Sequence, residues 1–571
     1  MPDIRVAVGL DFGTTYSGYT YCHREATEDD MYTTNKNWPD SNEEGYKTNT
    51  VLKYDEFLDN VESWGQSALS KRPDRRITVN KREKVVELFK LHLGNLSDEL
   101  KEEYTLSVDH KRAITDYLRE IGKHIKDTIT IKDTATARWG IDFMENVLLV
   151  LTVPAEYTQK EKAIMRECAS NAGLINDKDS KKLEFTTEPE AAAIYCKNNV
   201  LREHRLDTSG TIFMIVDCGG GTVDLTTRKL LNENQLGEIT ERAGDYCGSS
   251  FIDKAFLDHL KKILDNRPID LLRDNYYGQM QYMVQEFCQN VKFEFTGDDL
   301  NFCYEMDLME VSPIIAQYVS DEVRERMEEI EWLIKLDYET IKSMFDPVVE
   351  RILRMIRVQL ENCSEKGSRC SAMLLVGGFS QSGYLQKRIK EEFSDHRDHP
   401  GINISVPTNP IAAVSRGAAM YGASFARSVN DMDDDEMDGL MFVIDSRVLR
   451  FTYGIKVFNS EDSAFRFHPI AKKGTIAKIN EEFPANVRPT LPFQKIGIFE
   501  IYYIDKYEAN IDDPGLRLLG KLKIDWPDKH RGINRPTTFK LAFGKMEITA
   551  KASNDINGQN YQTSFETDIE D

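Results

Sequence analysis

The sequence predicts an α/β chain built of two lobes, followed by a smaller all-β domain. Two matching segments predict the lobes. Asp11-Phe12-Gly13-Thr14-Thr15 and Asp217-Cys218-Gly219-Gly220-Gly221-Thr222 each follow an apolar run, Ile4 to Leu10 and Ile212 to Val216. Each then enters a second β-like stretch, Tyr16 to Tyr21 and Val223 to Lys229. The composition beyond Val448 predicts the last domain. Short strand patterns recur there at Phe451–Phe458, Ile496–Ile504, Gly520–Asp525, Thr538–Phe543 and Lys545–Ala552, with turn signals at Asp513-Pro514-Gly515 and Asn557-Gly558.

A strand, a Gly/Thr-rich turn and a returning strand point several backbone N–H groups into one concavity, which suits a phosphate. Glycine lets the backbone approach closely and adopt positive φ. Threonine adds a hydroxyl donor, and the leading aspartate is a hard oxygen donor for hydrated Mg²⁺. Two such turns are expected to grip one nucleotide from opposite sides.

The remaining elements follow in order. Glu25 to Gly45 is polar and acidic and reads as a surface loop. Helical patterns are expected near Lys81–Leu93 and Val108–Ile129, and a buried strand over Val147–Val153 that stops at Pro154. A helix from about Thr158 to Ala172 then ends at Gly173. Glu188-Pro189-Glu190 opens a small-residue helix, Ala191 to Cys196. The second lobe carries a long helical region, about Phe251 to Gln359, and a buried strand Met373 to Val376 that ends in Gly377-Gly378. After Asn409-Pro410, a helix is expected over Ala412–Phe425, and Asn430 to Asp438 has linker composition.

The chain has 571 residues and 95 acidic against 73 basic side chains, a net charge of −22. That balance argues against a general nucleic-acid binder or an anionic membrane surface as partner. No apolar stretch reaches membrane-spanning length, and no signal-peptide pattern opens the chain. Nine scattered cysteines read as reduced thiols of the cytoplasm or nucleus. There is no Gly-x-x-x-x-Gly-Lys-Ser/Thr, no Gly-x-Gly-x-x-Gly after a strand, no zinc spacing and no serine nucleophile elbow.

The ordered set is Gly9 to Ser17, Thr152-Val153-Pro154-Ala155, Glu188 to Ala193, Val216 to Asp224, Leu375-Val376-Gly377-Gly378, and Asn409-Pro410 with Gly417-Ala418-Ala419. It resembles the ATPase domain of the heat shock protein 70 chaperones, in the actin-like (ribonuclease H-like) superfamily. Phe89-Lys90-Leu91-His92-Leu93, Phe345-Asp346-Pro347-Val348 and Tyr453-Gly454-Ile455 make it most similar to the divergent family-12 subgroup. The resemblance implies ATP/ADP and Mg²⁺ as cofactors. It implies that Gly13, Thr14, Thr15 and Tyr16 contact phosphates from one lobe, and Gly219, Gly220, Gly221 and Thr222 from the other. Asp11, Glu188 and Asp217 would hold Mg²⁺ through water. Lys90 falls at the catalytic lysine, Pro154 at a switch proline, and Lys162 where the family has a relaying arginine. Gly377, Gly378 and Lys292 would line the adenosine pocket.

The sequence departs from the family pattern at several places. Tyr246-Cys247-Gly248-Ser249-Ser250 replaces a Gly-pair segment, with Gly248 the remaining glycine and a candidate nucleotide-binding residue. Phe379 and Gln381 stand after the Gly pair in place of a small polar residue and an arginine. Ile411 replaces an acid, and Phe293 an arginine. The linker is acidic before Leu440 to Ile444, and the family's helical lid is not expected.

The expected domains are 1–427 (lobes about 1–210 and 211–405, closing helix about 406–427), linker 428–446, and β-sandwich 447–571. The resemblance implies an ATP hydrolase coupled to extended polypeptide clients, with nucleotide-exchange or J-type co-chaperones as partners. A nucleotide-gated scaffold holding one dedicated partner is the alternative. A small-molecule kinase leaves the β-rich end unexplained.

Overall fold

The computed structural model describes residues 3–23, 32–39, 44–69, 72–73, 84–94, 105–132, 140–154, 157, 159–178, 180–232, 235–394, 400–431, 443–459, 464–478, 481–543, 548–556 and 558–564. Residues 432–442 of the expected linker, Ala155, Thr158, Asn557, and parts of the Glu25–Gly45 and Lys81–Leu93 segments lie outside them.

The lobes repeat one design. In the first, Val6–Phe12 pairs antiparallel with Tyr16–His23 and parallel with Val147–Val153, which lies parallel to Leu183–Thr187. In the second, Ile212–Cys218 pairs antiparallel with Val223–Leu230 and parallel with Ala372–Val376, which lies parallel to Asn403–Ser405. Every residue of Val6–Phe12, Val147–Val153 and Ile212–Cys218 is buried. Strands covered on both faces need continuous apolar runs rather than alternation, which is why these were readable.

A third core joins the lobes. It contains Leu148 and Val150 from the first, Phe213, Ile215 and Leu374 from the second, and Ala413, Ala418 and Tyr421 of the helix Ala413–Asp431. That helix crosses Glu188–Cys196 with backbone against backbone. A Cβ on Gly417 would collide with the Ala191 carbonyl, and one on Gly9 with the Ala419 amide.

Two local expectations are corrected. Lys81–Leu93 is not a helix; its described part is a strand, Lys84–Glu87, then a 3-10 helix, Phe89–Leu93. Leu88 between them has φ of 58°, which an α-helix cannot contain. The long helical region is interrupted by the hairpin Cys303–Asp307/Leu333–Asp337. There Met306, Ile334 and Leu336 are buried on one face, a period of two within a helical neighbourhood.

Among the described residues, the C-terminal part forms two four-stranded sheets packed as a sandwich. One runs Ala464–Ala471, Thr452–Asn459, Ile496–Ile504, Arg517–Asp525; the other Glu482–Val487, Thr537–Phe543, Ile548–Asn554, Asn560–Ser564. Ile455, Phe499, Ile501, Phe539 and Leu541 fill the space between. The strand Val443–Val448 spans the expected end of the linker and start of this domain. It adds to the second lobe's sheet, parallel to Gln235–Glu238, and accepts Ile476–Lys478 antiparallel on its other edge. No helix among the described residues is long and apolar enough to cross a membrane.

Candidate functional site

The two Gly/Thr turns meet face to face. A Cβ on Gly220 would overlap Thr15 Oγ1, and one on Gly221 would lie 2.9 Å from Thr14 Cγ2. Glycine is required here by the close approach of one lobe's turn to the other. Each turn is also pinned from behind. Thr50 Oγ1 donates to the Gly13 carbonyl at 2.9 Å, and Thr50 N to Thr15 O at 2.8 Å. Gly219 N donates to Thr222 O at 2.9 Å, and Gly248 N, Ser249 N and Ser250 N donate to the carbonyls of Gly221, Gly219 and Gly220. Gly248 therefore braces the second phosphate turn; its Cβ would strike the Gly220 carbonyl.

Beneath the turns lies a buried charged cluster. Lys90 is 2% exposed; its Nζ donates to Glu188 Oε1 at 2.8 Å and to the Phe12 carbonyl. The Tyr157 hydroxyl donates to the Lys90 carbonyl at 3.4 Å, and Tyr157 N to the Pro154 carbonyl at 3.3 Å. Pro154 is thus tied through Tyr157 to Lys90. Burial, then the charges of Glu188 and Asp11, push the Asp217 carboxyl up to about 8, with Lys47 and Lys90 pulling the other way. A cation placed among these carboxylates would relieve that crowding, and hard oxygen donors suit magnesium. Among the described residues no three His, Cys, Asp or Glu side chains converge to ligate one metal directly.

Where the resemblance places the adenosine pocket, Gly377 has φ of 85°, and a Cβ there would strike Asp217 Oδ1. Gly378 follows it, with Ile411 Cδ1 the nearest atom to its missing side chain at 3.9 Å. Lys292 Nζ bonds Asp253 Oδ1 at 2.6 Å, and its charge, with that of Asp253, acts on Tyr16 of the other lobe. Phe293 is 51% exposed beside it, and Phe379 is buried. The sequence-predicted residues are therefore grouped along one interlobe face. The Thr222 carbonyl closes its own turn by accepting from Gly219 N.

Sequence reasoning missed Lys47, Thr50 and Tyr157. None lies in a Gly/Thr turn, and strand pairing across the chain brings them in.

A second ionic cluster lies two residues along from Glu188. Glu190 Oε1 meets Arg242 at 2.9 Å, Arg447 at 3.1 Å and Arg228 at 3.3 Å, while Glu238 Oε1 meets Arg242 at 2.8 Å and Arg228 at 3.3 Å. Burial opposes ionisation of Glu190, but Arg242, Arg447 and Arg228 outweigh it and hold the carboxyl well below its usual range. Glu238 Oε2 also accepts from Val448 N at 2.7 Å, which fixes the strand Val443–Val448 on the second lobe.

Lys162 faces this cluster. Burial, then Arg447 and Arg242, lower its ammonium to about 7, against the pull of Glu190. The unfolded chain keeps that proton to about 10.4. Between those values the unfolded state binds more protons, so this group makes stability rise with pH and withdraws that contribution as pH falls through 7. Lys162→Met should therefore raise the thermal midpoint at pH about 7, with the gain shrinking towards pH about 10. A gain that is constant across that range would refute the assignment.

The comparisons agree with this architecture. A family model described as Hsp70 protein matches residues 128–447, more than half of the chain. Heat shock 70 kDa protein 12A of Mus musculus is 24% identical, with 96% of this chain and 89% of the relative covered. Heat shock 70 kDa protein 12B of Homo sapiens is 22% identical over the same shares. Chaperone protein DnaK of Thermoplasma volcanium is 24% identical over 50% of this chain and 40% of its own length. Paired phosphate turns on duplicated sheets, together with that match, make this chain a member of the Hsp70 protein family, with a nucleotide-binding ATPase domain of that type.

Proposed function

We propose that the chain is a magnesium-dependent ATP hydrolase that couples its nucleotide state to the binding of extended polypeptide segments on the β-sandwich. The observation that supports this most is Lys90, paired to Glu188 beside Asp11 and Asp217, directly under the meeting point of the two Gly/Thr turns. In this reading the N–H groups of Gly13–Thr15 and of Gly220 and Gly221 cradle the phosphates, Gly219 N being spent on closing its own turn, and Thr222 orients the attacking water. Lys90 stabilises charge developing on the transferred phosphoryl group. When bound, magnesium supplies charge neutralisation at the phosphate oxygens. Asp11, Glu188 and Asp217 would hold it through water. Tyr16, Lys292, Gly377 and Gly378 border the nucleoside.

The polypeptide half of the reading draws support from exposed apolar side chains on the sandwich, among them Phe465, Leu491, Phe493 and Ile498. An extended segment would add backbone hydrogen bonds to such side-chain contacts. Nucleotide-exchange or J-type co-chaperones are the partners this reading calls for. None of the nine cysteines, all of them among the described residues, is joined in a disulfide, which suits the reducing cytoplasm or nucleus.

The test is phosphate release from ATP by the full chain, with and without magnesium and with and without an unfolded peptide. We expect magnesium-dependent release that peptide changes at least about twofold, a differential contact of the kind that couples two sites. Nucleotide binding without release would favour the scaffold. Phosphate found on a small acceptor rather than in water would favour a kinase.

A further inference from the structure

Lys47 sits in the middle of the acidic cluster, although no phosphate motif contains it. Its Nζ lies 2.6 Å from Asp11 Oδ2, with the two side chains 11% and 4% exposed. Thr48–Asn49 pairs antiparallel with Tyr16–Ser17, so the residue just before that pairing is held against the first hairpin. The stem passes beside Gly18, where a Cβ would lie 2.9 Å from Lys47 Cγ. Gly18 leaves the space that the lysine stem uses. Thr50, three residues on, binds both Gly13 and Thr15 carbonyls. Lys47 is thus part of the same strand-paired unit as the first phosphate turn, rather than a surface lysine folded inwards.

A polyphosphate brought beside Asp11 and Glu188 meets like charge, and a fixed cation there lowers that repulsion without having to be recruited from solution. That reduces what a divalent metal adds to nucleotide binding.

We propose that Lys47 is a resident cation of the phosphate pocket, through which the chain binds nucleotide phosphates with only weak dependence on magnesium. The inference rests on the nucleotide reading given above. It concerns binding; magnesium remains the cofactor of turnover.

The experiment is calorimetric titration of the full chain with ADP, once with magnesium and once in EDTA. We expect the two dissociation constants of the native chain to differ by less than about tenfold. Lys47→Met should widen that ratio by at least about tenfold, and Lys47→Arg, which keeps the charge, should leave it narrow. An absence of ADP binding even with magnesium would overturn the nucleotide reading itself. Binding with magnesium that disappears in EDTA would overturn the role of Lys47 and leave that reading standing. An unchanged ratio in Lys47→Met overturns it equally. If Lys47→Met does not fold, the native chain's own ratio decides.

Discussion

Lys90→Ala should lower ATP turnover by about 10²–10³-fold while the chain still folds and still binds ADP. The lysine is fully buried and fixed from two sides by Glu188 and the Phe12 carbonyl, with Tyr157 and Phe12 rings within 6 Å of its ammonium. A preorganised cation of this kind needs no reorganisation when charge moves onto the transferred group, which is why its removal should act on kcat more than on affinity. The alternative role is structural, with Lys90 serving only as the counter-charge of Glu188. The two are separated by measuring kcat, ADP affinity and the thermal midpoint together. A lower midpoint with kcat unchanged would leave Lys90 a structural cation and remove it from the chemistry.

Glu190→Gln should destabilise the chain by about 3–5 kcal/mol, because it leaves Arg228, Arg242 and Arg447 with Glu238 as their remaining buried counter-charge. The substitution keeps the shape, and the amide oxygen can still accept from Thr187 N, so the N-terminal cap of Glu188–Cys196 is largely preserved. What is lost is the charge facing Arg228, Arg242 and Arg447. Arg447 belongs to the strand Val443–Val448, so hydrogen exchange should rise along that strand as well as the thermal midpoint falling. A multidomain chain need not unfold in one step, which makes the local exchange reading the sharper of the two. Unchanged protection in 443–448 would mean that Glu238 and backbone pairing hold the strand without Glu190.

Much of this was legible because the informative signals are local. Buried parallel strands declare themselves as unbroken apolar runs, as in Val147–Val153, and phosphate turns as Gly/Thr between two such runs. The small-residue helix was readable from Glu188-Pro189-Glu190 at its start and the alanines that follow; the capping box of Thr187 with Glu190 is a finding of the structure. Other features depend on distant partners. Nothing near Lys47 marks it as a neighbour of Asp11, and Glu190 meets Arg447 across 257 residues of chain. The helix expected over Lys81–Leu93 failed at one residue, Leu88, whose left-handed backbone no periodicity reveals. The hairpin Cys303–Asp307/Leu333–Asp337 was obscured by the helical segments around it.

The first turn of the helix Glu188–Cys196 joins two chemistries that are otherwise far apart. Glu188 faces Lys90 and the phosphate turns; Glu190, two residues on, faces the arginines and the strand that leads into the β-sandwich. The capping box with Thr187 makes these residues one rigid piece of backbone. A displacement of that first turn would carry both carboxylates with it. Any energy transmitted through it obeys reciprocity: the factor by which nucleotide alters seating of the strand is the factor by which seating of the strand alters nucleotide affinity.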